Sequence, residues 1–211
     1  MSLYDRNSLQ VILALVTQGK ALRTLIGEIR RCTVCAEHLP LGPRPILAAG
    51  PKARVAIVGQ APGTRVHESG VPWDDDSGDH LRSWLDVDRD TFLDADNFAI
   101  VPMGFCYPGK KKGGDAPPRP ECAPLWHDRL FEHLPRLSLT LLVGQYAQAF
   151  YLDRRRKKTL TETVRAFDEY LPDYFPLPHP SWRSRIWVKK NPWFESDALP
   201  VLRERVSALF R

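Results

Sequence analysis

The chain of 211 residues, with 43% hydrophobic and 26% charged residues, has the composition of a globular protein and is long enough to bury a sizeable core. Its longest apolar run near the start, residues 11–16, is too short to cross a membrane, and we recognise no export signal there. The net charge of +5 at pH 7 favours polyanionic partners only weakly. We therefore expect a cytoplasmic monomer that does not bind membranes.

The first thirty residues predict two amphipathic helices. Apolar residues recur at helical spacing over residues 9–16 and again over 22–29, and Gly19 is expected to separate the two helices. We predict a single domain over residues 1–211, in which a helical segment at 1–31 precedes a core at 32–211.

Four short apolar runs that end near glycine or proline predict strands in the rest of the chain, and helical patterns lie between them. The predicted strands are residues 54–59, 97–103, 139–144 and 173–178, and the predicted helices are residues 77–85, 121–134, 145–152, 159–170 and 197–210. Strands that alternate with helices indicate an α/β fold around a mostly parallel sheet. Functional residues of such folds lie in the loops beyond the carboxyl ends of the strands.

The four cysteines are a candidate metal centre. Cys32 and Cys35 form a C-x-x-C pair, and Cys106 and Cys122 lie beside prolines in loops or at helix ends. Four thiolates can hold a zinc ion or an iron–sulfur cluster, and the residues alone do not choose between them. The alternative is four buried free thiols, which are common in protein cores.

Two segments after the first predicted strand are candidates for a binding pocket. The loop G-Q-A-P-G at residues 59–63 could present backbone amides to an anion or a flat ring, or it could be an ordinary tight turn. Trp73 follows in G-V-P-W, either as a core residue or as a platform that stacks on a base. One of the aspartates at 74–76 could cap a helix or hold a water molecule.

A proline-rich loop holds His179 between Pro178 and Pro180. Prolines restrict the backbone, so the loop is predicted to be stiff. The histidine is either satisfied within its loop or held ready for a functional contact. Basic runs at residues 110–112, 154–158 and 183–190 indicate solvated surface or, where they flank site loops, a groove for nucleic acid.

Together, G-Q-A-P-G, G-V-P-W, the order and spacing of the four cysteines, and H-P-S resemble the iron–sulfur (family 4) uracil-DNA glycosylases of the uracil-DNA glycosylase superfamily, over roughly residues 32–181. The resemblance implies a three-layer α/β/α sandwich around a four-stranded parallel sheet. It also implies a base-excision repair enzyme that hydrolyses the N-glycosidic bond of uracil in DNA and leaves an abasic site. The implied cofactor is a 4Fe-4S cluster on the four cysteines, with structural zinc as the alternative. The implied partner is DNA that contains uracil or another deaminated base.

The resemblance also implies roles for individual residues. The first motif would line the uracil pocket and position the attacking water; its residues are Gly59, Gln60, Ala61, Pro62 and Gly63. Trp73 would stack on the flipped base, and His179 would donate a hydrogen bond to uracil O2. Ser181 would bind a phosphate, while Trp182 and Arg183 are candidates for filling the gap that the base leaves. Apart from the resemblance, the positive charge of Arg185 makes it a further candidate for gripping DNA.

Two positions depart from the family pattern and indicate a divergent branch. Gln60 stands where the family has an acidic residue, so Asp75 becomes a second candidate for orienting the water. Pro102 stands where the family has an asparagine that reads the base edge, and backbone groups of Met103 and Gly104, or the side chain of His80, are the expected substitutes. The alternatives are a non-catalytic module that holds DNA lesions and a zinc-stabilised protein that acts on a small molecule.

Overall fold

The computed structural model describes the backbone of residues 3–210 and the side chains of residues 17–210. It contains a four-stranded sheet and a separate two-stranded hairpin. The strands are β1 Val55–Val58, β2 Phe98–Ile100, β3 Lys110–Lys111, β4 Gly114–Asp115, β5 Leu139–Val143 and β6 Tyr174–Leu177. The helices are α1 Leu3–Arg30, α2 Thr64–Ser69, α3 Asp76–Leu85, α4 Arg89–Leu93, α5 Cys122–Phe131, α6 Gln145–Leu152, α7 Leu160–Arg165, α8 Ser184–Lys190 and α9 Leu199–Leu209.

The main sheet has the order β2-β1-β5-β6, and every neighbouring pair is parallel. Successive residues of a strand point to opposite faces, so both faces of this buried sheet carry apolar side chains. Val55 and Ile57 pack on one face with α3, α4, α7 and α9, whereas Ala56 packs on the other with α1 and α5. The predicted α/β/α sandwich is therefore confirmed.

The predicted helix break at Gly19 is wrong, because α1 continues without interruption from Leu3 to Arg30. A glycine inside a helix costs about 1 kcal/mol relative to alanine, which packing can offset. Leu22, Leu25 and Ile29 are buried against the core and stabilise the second half of this helix. The apolar face predicted at residues 9–16 lies outside the described side chains.

Short helices account for most of the other differences from the predicted elements. The predictions did not include α2, α4 or α8, each of which has at most seven residues. The predicted helix at 159–170 is α7 followed by a 3-10 turn at Phe167–Tyr170, and a π-helical turn at Phe194–Ala198 precedes α9. Helices this short carry less than two turns of periodic pattern, so local sequence identifies them poorly.

The parallel arrangement brings the loops that follow all four strands of the main sheet to one edge. The sheet edge beyond the carboxyl ends is therefore the place to look for a site.

Among the described residues, no helix combines the length and apolar character that a membrane crossing requires.

Candidate active site

A cleft of about 860 Å³ opens at this edge, within the range usual for ligand pockets. Each of the four strands contributes residues to it from the loop or helix that follows. Its lining includes residues 59–63 after β1, Pro102 after β2, Gln145 and Tyr146 after β5, and His179 after β6. The hairpin of β3 and β4 also lines the cleft, together with Trp73, Asp75, Ser181, Trp182 and Arg183.

The G-Q-A-P-G loop forms one wall, and its backbone is tied to the chain that follows β2. Met103 donates its amide to the carbonyl of Gly59 at 2.9 Å, and Gly104 donates to the carbonyl of Gln60 at 3.0 Å. Both amides are engaged, and neither residue lines the cleft: Met103 is 7% exposed in the core and Gly104 faces the cysteine pocket. The structure thus places these two expected base-reading residues behind the wall.

Pro102 reaches the cleft without offering its carbonyl to it. The Nε2 atom of His127 donates a hydrogen bond to that carbonyl at 3.1 Å, and the other ring nitrogen of His127 accepts from the hydroxyl of Tyr151 at 2.7 Å. Burial lowers the pKa of His127 to about 4, so the ring is neutral in these contacts. Position 102 therefore presents only the apolar ring of a proline to the cleft. It offers no polar group there that could read the edge of a base.

Trp73 packs against the first residue of the G-Q-A-P-G loop and lines the cleft beside it. Its backbone has φ of 56°, a left-handed conformation that is rare for a bulky residue and often occurs at functional sites. Its carbonyl accepts a hydrogen bond from Arg82 at 3.4 Å, and the backbone of Gly78 packs so tightly beneath it that a β-carbon there would clash. The start of α3 thus holds the indole in place beside His179, with the two ring centroids 5.9 Å apart.

Two neighbours position His179 and its loop. Gly144, with φ of 87°, lacks a side chain where the imidazole approaches, and a β-carbon there would lie 3.5 Å from that of His179. The ring of His80 donates to the carbonyl of Pro180 at 3.3 Å, so His80 supports the loop from α3 and does not line the cleft. Burial lowers the pKa of His179, and the charge of Asp75 only partly opposes this effect. The imidazole is therefore neutral at pH 7.

Two carboxylates meet over Gly63. Asp75 caps α3 by accepting from the amide of Gly78 at 2.9 Å, which agrees with the expectation that one of the aspartates at 74–76 caps a helix. A β-carbon on Gly63 would lie 3.8 Å from Oδ2 of Asp75 and 3.4 Å from Oδ2 of Asp115. Sequence reasoning missed Asp115, although the Gly113-Gly114 pair between flanking short segments was a hairpin signal that would have placed it opposite Lys110.

The rim of the cleft is basic and carries an exposed aromatic. Trp182 is 68% exposed, and the guanidinium of Arg183 lies 5.2 Å from its ring centroid. Residues 110–112 also line the cleft, whereas Arg185 and residues 189–190 are exposed on or near α8. The basic run at 154–158 does not flank the cleft, because it follows α6 to the amino-terminal edge of the sheet, where Arg155 packs over Tyr174.

All four cysteines line a second, much smaller pocket. Its other walls are Leu39, Pro45, Gly104, Phe105, Arg119 and Trp126. The thiols are free, and burial raises the pKa of Cys106 to about 11 and that of Cys122 to about 12. In the described part of the chain, no group of three or more His, Cys, Asp or Glu side chains is arranged to hold a metal ion.

Two buried donors near these thiols have no hydrogen-bond partner. They are Nε of Arg119 and Nε1 of Trp126, and both residues line the cysteine pocket. Buried donors without partners are costly, so this pocket has unmet capacity for an acceptor.

The three-layer fold, with a basic cleft and a neutral histidine at the carboxyl edge of its sheet, defines an α/β protein suited to a polyanionic substrate. A family model described as the Uracil DNA glycosylase superfamily matches residues 48–203, and the chain belongs to that superfamily. The match begins after Cys32 and Cys35, so it concerns the glycosylase fold and cleft more than the cysteine pocket.

Proposed function

We propose that this protein is a DNA glycosylase that hydrolyses the N-glycosidic bond of uracil and leaves an abasic site. The observation that carries the proposal is the position of His179 at the carboxyl edge of the sheet, packed against Gly144, with its loop supported by His80 and its ring in contact with Trp73. When the glycosidic bond breaks, negative charge develops on the departing base. A donor that is already oriented stabilises this charge without reorganising.

The cleft suits a base that has left the stack. Extrusion of a base costs a few kcal/mol, which contacts with protein must offset. Trp182, exposed at the rim, would enter the gap, and Trp73 would offer an aromatic surface inside the cleft. Ser181, Arg183 and residues 110–112 are candidates for phosphate contacts around the entrance.

Uracil release from defined oligonucleotides tests the proposal. The protein is incubated with single-stranded and duplex oligonucleotides that contain one uracil, and alkali then cleaves any abasic site. Strand breaks are expected at the uracil with the wild-type protein. They should form much more slowly with the His179→Ala protein and be absent from matched thymine oligonucleotides. Absence of breaks on every uracil substrate would exclude the activity. Parallel hypoxanthine and xanthine substrates measure the range of deaminated bases.

A second function, a module that holds lesions without cleaving them, has one observation in its favour. Gln60 carries no charge, and its side-chain amide is engaged by the carbonyl of Ala116 at 2.9 Å. Retention of uracil or abasic DNA with no base release would support this alternative over the glycosylase.

We also propose that the cysteine pocket binds a 4Fe-4S cluster with a structural role. Arg119 and Trp126 carry unpaired buried donors beside the thiols, and hydrogen bonds to cluster sulfur are a known feature of such sites. Cys32, Cys35, Cys106 and Cys122 would be the ligands. Zinc is the alternative, and the same four thiolates would hold it.

A further inference from the structure

We infer that Asp115 supplies the catalytic carboxylate of the cleft, by orienting the attacking water and accepting its proton. This inference rests on the proposed glycosylase function and assigns a residue to the step for which the first motif lacks an acid. It follows from where the β3–β4 hairpin places Asp115, from how Gln60 holds that hairpin, and from the charges nearby.

The hairpin brings Asp115 to the G-Q-A-P-G wall. Oδ2 of Asp115 lies 3.4 Å from the position that a β-carbon on Gly63 would occupy. Both residues line the same cleft as His179. The carboxylate is thus beside the loop that would position the water, although it comes from a segment more than fifty residues away in the chain.

Gln60 fixes this arrangement. Its side-chain amide donates to the carbonyl of Ala116, the residue next to Asp115, at 2.9 Å. The amide of Ala116 donates in turn to the carbonyl of Gly109 at 2.8 Å and closes the base of the hairpin. Gln60 therefore acts as a positioning residue. Asp115 supplies the carboxylate that the family has at position 60.

The surroundings suit a general base. Asp115 pairs across the hairpin with Lys110, and Asp75 contributes a second negative charge nearby. Asp115 is exposed as a residue, but partial desolvation of its carboxyl group is the main cause that raises its pKa; the charge of Asp75 adds to the rise, and Lys110 opposes it. A carboxylate with a raised pKa accepts a proton more readily at neutral pH. Asp75 already uses one of its oxygens to cap α3, so Asp115 is the freer of the two.

The chemical step balances with these groups. The water oxygen forms a bond to C1′ of the deoxyribose while the bond from C1′ to N1 of uracil breaks. The electron pair of the broken bond goes to uracil, whose O2 accepts a hydrogen bond from His179. The water proton passes to Asp115 and then to solvent, and the uracil anion takes a proton from solvent.

Single-turnover base release by an Asp115→Asn variant tests this role. We expect the rate on a uracil oligonucleotide to fall by about a hundredfold or more, the usual contribution of general acid–base catalysis. The dissociation constant for the same oligonucleotide should stay within about threefold of wild type, because the hairpin and its basic residues remain. Asp115→Glu should recover part of the lost rate. Asp90→Asn, at an exposed position on α4 away from the cleft, is the matched control and should release uracil at the wild-type rate.

The outcomes separate this role from the function on which it depends. A wild-type protein that releases no base would overturn both. An active wild type with an equally active Asp115→Asn variant would overturn only the role of Asp115. A variant whose binding and rate fall in parallel would also overturn it, because that result would assign Asp115 to hairpin or DNA positioning.

Discussion

The indole of Trp73 lies directly over Gly59, so closely that a β-carbon on residue 59 would stand 2.8 Å from Cζ2 of the ring. The glycine that begins the G-Q-A-P-G loop is therefore needed for the aromatic surface of the cleft, beyond any need of the turn itself. A larger residue at position 59 should therefore affect the activity of the cleft more than the stability of the fold.

We expect Gly59→Ala to lower uracil release by at least about tenfold, because the added methyl group displaces the indole. Overpacking of this kind costs about 1–3 kcal/mol of stability, so the variant should remain folded. Single-turnover rates and urea denaturation measure the two effects. Gly27→Ala is the control: no atom beyond the adjacent backbone of its own helix lies within 4 Å of its added β-carbon, and alanine favours the helix. Unchanged base release by Gly59→Ala would contradict this packing argument.

His179→Ala should lower the single-turnover rate by roughly a hundredfold to a thousandfold, the effect of losing one preorganised donor worth about 2.7–4 kcal/mol. The pH dependence has a defined sign. Burial lowers the pKa of His179, so the ring stays neutral as the pH falls from about 8 to about 6.5, and the rate should not fall over this range because of this group. A rate lost over that interval in the wild type and not in a His179→Gln variant would show that the histidine titrates there. His133→Ala, outside the cleft, serves as a control.

Trp182→Ala should impair action on duplex DNA more than on single strands. In the proposed function the exposed indole fills the space left by an extruded base, and a single strand has no paired stack to hold open. We expect a loss of about tenfold or more on duplex uracil and about threefold or less on the single strand. Ile186→Ala, which removes another exposed apolar side chain on α8, should change neither rate. Equal losses on both substrates would argue against a wedge.

Cys122→Ser should release the proposed cluster and lower the melting temperature. The purified wild-type protein should be brown, with iron and acid-labile sulfide in proportion to protein, and the variant should contain neither. Val34→Ser changes an exposed residue between Cys32 and Cys35 and should keep both iron and stability. A colourless wild-type protein that contains zinc would contradict the cluster and support structural zinc. A wild-type protein without metal would exclude both.

The buried His127 should make stability depend on pH. Its pKa is about 4 in the folded protein against 6.5 when unperturbed, so the unfolded chain binds the proton more tightly between these values. His127 makes its full contribution to the free energy of unfolding above about pH 6.5. This contribution declines by about 3 kcal/mol in total as the pH falls toward 4. Urea denaturation of wild type and His127→Phe at several pH values measures the difference. The variant should be less stable at pH 7, because two partners lose their hydrogen bonds, and the gap should narrow in acid. A constant gap would contradict the assignment.

Much of the fold could be predicted from local pattern. The runs over residues 54–59 and 139–144 are apolar on both faces, which a strand in a covered parallel sheet requires, and each ends in a glycine that starts a loop. Because parallel strands end at one edge, the same reasoning brought the first motif and His179 into one cleft, where the structure has them. Gly19 shows the limit of such reasoning, because packing of α1 against the core outweighed a local penalty.

The sequence by itself determined the sheet, the order of its loops and the presence of Trp73 and His179 near its carboxyl edge. The apolar runs of the strands and the periodic apolar residues of the helices are encoded within each segment. Only the tertiary structure decided which polar groups share the cleft. Asp115 reaches the first motif through a hairpin that a hydrogen bond from the side chain of Gln60 holds in position. The amides of Met103 and Gly104 donate to backbone carbonyls of the first motif and are not free to contact a base. Such contacts join residues far apart in the chain, and their geometry follows from packing that no local pattern records.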